Sequence, residues 1–157
     1  MRLRSLATAA AVIALAAPLT ACASGRATER EYDVNSAGEN REGTVDVLSA
    51  VVVSGSEGSG TFVASLSNND ESEEQSLTGI SGDDGETIEA GEFEPVAVAP
   101  GGLVNLAEPP ADIVLTGDLT AGDFVPLALD FGNGERITLN VPVVPDDNGY
   151  WEGMDAS

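Results

Sequence analysis

Phe124-Val125-Pro126-Leu127-Ala128-Leu129-Asp130-Phe131-Gly132-Asn133-Gly134-Glu135-Arg136-Ile137-Thr138-Leu139-Asn140-Val141-Pro142-Val143 carries two period-two patterns back to back. Ile137, Leu139, Val141 and Val143 alternate with Thr138, Asn140 and Pro142, and Val125, Leu127, Leu129 and Phe131 recur at the same spacing. Side chains of a strand point to opposite faces in turn, so each run reads as a half-buried strand. Gly132-Asn133-Gly134 between them tolerates positive φ, and the two strands should close as a hairpin. Pro126 and Pro142 have no N–H to give a ladder and belong at edges, strand ends or outward, unbonded positions.

Working outward, further strands are expected at residues 45–53, 61–67, 75–80, 93–98, 103–106 and 111–115. Breaks fall at 54–59, 68–74, 81–85 and 100–102, where Gly, Ser, Asn, Asp and Pro gather. No stretch after Thr44 carries a helical period. About seven to nine short strands at this spacing predict an all-β domain, an antiparallel β-sandwich of Greek-key type. Its only support is packing, because no cysteine lies within it to form a disulfide.

Composition removes several function classes. The net charge is −21 with no histidine, most of the 27 acidic residues lie after Thr44, and Arg136 is the only base there. Nothing in such a body displaces counterions from nucleic acid, and anionic lipid headgroups repel it. Acidity of this kind also serves solubility alone. With no histidine and no lysine in the chain, Ser-His-Asp, Cys-His and Ser-Lys nucleophile pairs are unavailable. A carboxylate pair for glycoside chemistry cannot be singled out among so many acids, so an enzyme is not expected. The acidic loops Asn68-Asn69-Asp70-Glu71, Asp83-Asp84-Gly85-Glu86 and Asp146-Asp147-Asn148-Gly149 offer hard oxygen ligands of the type calcium takes, without the EF-hand spacing. The plainer reading of each is a solvated turn.

The other end of the chain gives an address. Arg2 and Arg4 precede an uncharged Ala-rich run at residues 6–17, broken by Pro18, which is the shape of an export signal. The run is far shorter than the roughly 20 apolar residues of a membrane-spanning helix. Leu19-Thr20-Ala21-Cys22 resembles the bacterial lipobox, and the resemblance implies cleavage between Ala21 and Cys22, with acylation (palmitate-type chains) of the sole cysteine, Cys22. One acyl chain binds membranes marginally and two or more hold stably. Residues 23–43 hold Ser, Gly, Asn and Glu with little apolar periodicity, together with Arg26, Arg30 and Arg41, and read as a disordered tether with a span of roughly 25 Å. The expected organisation is a signal peptide at 1–21, the acylated Cys22 and flexible tether at 22–43, the sandwich at 44–145 and a tail at 146–157.

A family resemblance covers roughly residues 45–144. Gly101-Gly102-Leu103-Val104-Asn105-Leu106, then Ala111-Asp112-Ile113-Val114-Leu115-Thr116-Gly117, then Leu119-Thr120-Ala121-Gly122-Asp123-Phe124-Val125-Pro126-Leu127, and finally Ile137-Thr138-Leu139-Asn140-Val141-Pro142-Val143 resemble the C-terminal half of the periplasmic copper chaperone family PCuAC. Gly60-Thr61-Phe62-Val63-Ala64-Ser65-Leu66-Ser67-Asn68 is similar to its early strand, which ends in Asn. The resemblance implies a cupredoxin-like sandwich. Members carrying copper(I) use histidines and methionines, soft donors that suit a soft ion. The family's His-X-Met falls here on Asp112-Ile113-Val114, where Asp112 is a hard ligand and Val114 is none. The earlier His and Met would lie near residues 81–93, and Met154 is the only methionine outside the signal. The metal positions Asp112 and Val114 are therefore degenerate, and no bound metal or other cofactor is expected. The Arg-only basic set suits a high-GC, actinobacterial source.

These readings together predict a lipoprotein on the extracytoplasmic face of the cell membrane, anchored to the bilayer through acylated Cys22. It would act as a non-catalytic accessory or binding module that docks to an envelope protein and makes no use of nucleic acid. The alternative is residual copper or calcium handling in the envelope. Tyr150 and Trp151 are candidate interface anchors, with a core plug over the open end of the sandwich as the competing role for Trp151.

Overall fold

The computed structural model describes residues 38–147 and 149–157; the expected signal peptide with Ala21, Cys22 and the expected tether as far as residue 37 lie outside them. The strands are β1 (Gly38–Asn40), β2 (Val45–Ser56), β3 (Ser59–Asn68), β4 (Gln75–Gly82), β5 (Glu89–Ala90), β6 (Val96–Val98), β7 (Leu103–Asn105), β8 (Ile113–Thr116), β9 (Phe124–Phe131) and β10 (Arg136–Pro145), followed by a single 3-10 turn at Gly149–Trp151. The sheet order is β1-β2-β10-β9-β4-β5-β8-β3-β7, and an additional β2–β3 pairing closes it on itself. The closed ring is β2-β10-β9-β4-β5-β8-β3, with β1, β6 and β7 laid against it. The domain is thus all-β, a flattened barrel whose two faces make a β-sandwich. Closure leaves the long strands without free edges.

The β9–β10 hairpin forms as its alternation predicts, with Arg136 opposite Asp130 and Val141 opposite Val125. The Gly134 N–H donates to the Phe131 carbonyl at 2.9 Å and the Phe131 N–H to the Glu135 carbonyl at 2.9 Å, while Gly134 has φ 86°. That is a three-residue loop closed by a glycine in the left-handed region. Both prolines stand where a neighbour's pairing stops. Pro126 lies one residue past the last β4 pair, Leu127 with Gly82, and Pro142 one residue before the first β2 pair, Val143 with Val52.

One expectation of strand direction is corrected: β10 runs parallel to β2, although every other pairing is antiparallel. A Greek-key closure brings the last strand back beside the first long one, and the intervening chain is long enough to return it in either sense. The boundaries also differ. Gly38–Asn40, assigned to the tether, pairs with β2, so the ordered sheet begins before Thr44. Gly38 is buried, and a Cβ there would lie 2.7 Å from the Asn140 carbonyl oxygen; glycine admits this close approach. The strand expected at 93–98 is reduced to β6, and the two-residue β5 appears where no alternation announced it.

β2 explains the unbroken apolar run Ala50-Val51-Val52-Val53. Its pairing with β3 slips between Leu48 and Val51, and Ser49 sits there at φ 52°. This bulge inverts the side-chain parity. Val45 and Val47 face the main core before it, and Ala50 and Val52 face that core after it. Val51 and Val53 are thereby turned to the outer face, where they form a second small cluster with Val63. The main core is filled from both faces by Phe62, Leu66, Leu77, Ile113, Leu115, Leu127 and Leu129, all essentially without solvent exposure.

Asn68 is the buried polar hinge of one end. Its amide nitrogen donates to the carbonyls of Glu73 at 2.8 Å, Val98 at 3.2 Å and Ala99 at 3.2 Å, and its Oδ1 accepts from the Asp70 N–H at 2.9 Å. One side chain thus ties the β3–β4 loop to the β6–β7 turn.

Candidate functional site

The outer face of β2 and β3 is apolar because of the bulge, and the tail covers it. Ala107, Val144, Trp151 and Met154 pack, half-buried, against Val51, Val53 and Val63. Trp151 therefore lies on the side of the sandwich and does not plug its open end. Tyr150 stacks edge-on to Trp151, with ring centroids 4.8 Å apart and planes at 86°, yet it is 67% exposed.

Hydrogen bonds fix the tail in place. The Asp155 carboxylate accepts from the Gly55 N–H at 2.7 Å, the Thr61 hydroxyl at 3.1 Å and the Ser157 N–H at 3.0 Å. Thr61 in turn accepts the Ala156 N–H at 2.7 Å, and Asp146 accepts the Met154 N–H at 3.0 Å. Partial burial pushes the Asp155 pKa up, but the hydrogen bonds from Gly55, Ser157 and Thr61 together outweigh it and hold the carboxyl below its ordinary value. No sequence signal pointed to Thr61 or Asp155, since their partners are remote along the chain.

Between this strap and the segment after β7 runs a cleft of about 310 Å³ lined by Thr61, Val63, Leu106, Ala107, Pro110, Asp112, Gly153, Met154, Asp155 and Ala156. Asp112, one of the two degenerate metal positions, is exposed at its rim and adopts φ 49°. Val114, the other, is not part of the cleft. It stands on β8 between Ile113 and Leu115, which face the core, and pairs with Thr61. Met154 and Asp112 thus line one cleft, whereas Val114 is not among its lining residues.

The acidic loops are organised by their own backbone. Asp70 Oδ1 accepts from the Ser72 hydroxyl at 2.7 Å and from the N–H groups of Ser72 at 2.8 Å and Glu73 at 3.1 Å, and these bonds lower the Asp70 pKa. The Glu86 N–H donates to the Asp83 carbonyl at 3.0 Å, closing a turn through Asp84 and Gly85 at φ 52° and 93°. In the third loop Asp146 holds Met154. Among the described residues no group of three or more acidic, cysteine or histidine side chains gathers in a way that could hold a metal ion.

A ring of this order, with a parallel closure between its first long and last strands, defines a cupredoxin-like β-sandwich. The solved structures narrow it. The apo PCuAC domain from PmoF1 superposes with a TM-score of 0.53 at 18% identity, covering 68% of this chain and 98% of that one. The copper-bound PCuAC domain from PmoF2 gives 0.54 at 16%, covering 68% and 97%, and its apo form gives 0.53 at 15%, covering 70% and 97%. No protein-family model matches the chain, and no curated protein matches it. The fold is that of a PCuAC-like domain.

Proposed function

We propose that this chain is a lipoprotein of the cell envelope, held at the extracytoplasmic face of the membrane through acylated Cys22, whose PCuAC-like domain is a non-catalytic binding module for an envelope protein and no longer a copper carrier. The observation that carries the reading is the donor set around Asp112: the fold matches a domain solved with copper bound, yet the chain has no histidine. Met154 is the one soft donor in the cleft. Copper(I) selects thioether and imidazole over carboxylate, and a lone thioether beside hard oxygens is a poor match. The lipobox-like Leu19-Thr20-Ala21-Cys22 supports the anchor, and the net charge of −21 supports the need for one.

Residual metal handling is the second reading, favoured by the presence of Asp112, Met154 and Asp155 in one cleft. Titration with cuprous and calcium ions under anaerobic conditions separates the two. The binding-module reading expects no saturable copper site below micromolar concentration, and tight stoichiometric copper would overturn it. Mass spectrometry of the membrane fraction should find Cys22 as a diacylated or triacylated N-terminus, and an intact leader or an unmodified thiol would defeat the anchoring.

A further inference from the structure

We infer that the cleft between the C-terminal strap and the Leu106–Asp112 segment is a docking site for an extended segment of a partner protein that presents one apolar side chain beside a lysine or arginine. This deepens the proposed binding-module function and rests on it. Val63, Leu106, Ala107, Pro110 and Met154 give the cleft its apolar lining, and of its polar members Thr61 and Asp155 are bonded to each other and to the strap. A volume of about 310 Å³ stands at the small end of ligand pockets, which span roughly 300–1,000 Å³; it suits a side chain and its adjoining backbone.

Charge selects the occupant. Asp112 stands exposed at the rim, and no hydrogen bond or ion pair reaches its carboxylate from the described residues. Elsewhere on the domain the cations are already matched: Arg136 pairs with Asp130 at 3.0 Å and Arg41 with Glu39 at 3.6 Å. With a net charge of −21, a second copy of the chain and an anionic lipid surface are both repelled, while a cationic segment is steered in. The left-handed backbone at Asp112, φ 49°, is a conformation aspartate adopts more readily than most residues.

The test uses the full chain, isotopically labelled and detergent-solubilised, titrated with acetyl-Gly-Leu-Arg-Gly-amide and followed by amide chemical shifts. Saturable shifts confined to Ala107, Asp112, Met154 and their neighbours are expected. Affinity should fall at least fivefold for the peptide with Gly in place of Leu, for the peptide with Glu in place of Arg, and for the Asp112→Asn protein, in which asparagine keeps the backbone conformation. Shifts scattered over the acidic surface, equal affinity for the Gly peptide, or no shifts at all would overturn the inference. So would concentration-dependent shifts at these residues without peptide, which would mark a second copy. Cuprous titration of the same sample keeps the two ideas apart: neither copper nor peptide binding removes the docking site alone, whereas copper binding removes the binding-module reading.

Discussion

Asp155 accepts a hydrogen bond from the Gly55 N–H at 2.7 Å across a sequence separation of 100 residues, fastening the C-terminal strap to the end of β2. The Asp155 carboxyl is held below its ordinary pKa, so the folded chain binds fewer protons there than the unfolded chain. Its contribution is complete above the unfolded value and is lost as pH falls through the lower folded one. Asp155→Asn should therefore lower Tm at neutral pH and narrow its gap to the wild type below about pH 4, near the ordinary aspartate value. Thermal melts from acid to neutral pH check this; a gap that stays constant would show that the carboxylate is not the fastening.

The two aromatic residues of the strap should separate cleanly. Trp151 covers Val51, Val53 and Val63 from a half-buried position, and Trp151→Ala should cost about 1–2 kcal/mol, short of the roughly 3–5 of a fully buried aromatic. Tyr150, largely exposed, should change stability by no more than about 0.5 kcal/mol when replaced by Ala. Denaturant unfolding measures both. Equal costs would show that the pair acts as one unit.

Ser49 makes an unusual prediction of sign. Its φ of 52° strains any side chain, so Ser49→Gly should stabilise by about 0.5 kcal/mol, while the β-branched Ser49→Val should destabilise by about 1–2 kcal/mol. Deleting Ser49 should be far worse than either. Without the extra residue Ala50 and Val52 exchange faces with Val51 and Val53, and the closing register with β3 and β10 fails. Circular dichroism melts of the three variants would read the order.

Asn68→Ala should cost about 2–3 kcal/mol, because it removes the amide donor shared by the carbonyls of Glu73, Val98 and Ala99, of which Ala99 keeps the Gly102 N–H. Asn68→Asp should be at least as harmful, since it sets a negative charge against the same carbonyls. A loss under about 0.5 kcal/mol, the scale of an ordinary surface change, would mean that water replaces the amide without strain.

Strand identity was legible wherever one face is buried and the other is wet. Val125 to Phe131 and Ile137 to Val143 announce themselves because Asp130, Thr138 and Asn140 interrupt the apolar period. β5 is two residues, Glu89 and Ala90, too short for any period to register. β1, built from Gly38, Glu39 and Asn40, carries no apolar signal, and its place depends on the missing Cβ of Gly38 against Asn140. The parallel partner of β10 could not be read, because alternation tells which face a residue takes and not which neighbour lies beside it. At the site, Asp112 was picked out by resemblance, but its sharing of a cleft with Met154 was hidden. The cleft depends on Asp155 finding Gly55 and Thr61, bonds that leave no local mark on sequence.

Gly38 opposes Ala50 on β2, and Thr61, which takes up Ala156, opposes Val53 on the same strand. The first described stretch thus lies beside Ala50 of β2, and the last beside the β3 residue opposite Val53, three residues along. A short linker could join them, and the chain could be reopened at the exposed Gly132-Asn133-Gly134 loop to give a permuted protein with the same sheet. The loops tied by Asn68, at the other end of β2 and β3, would keep their connections in such a variant.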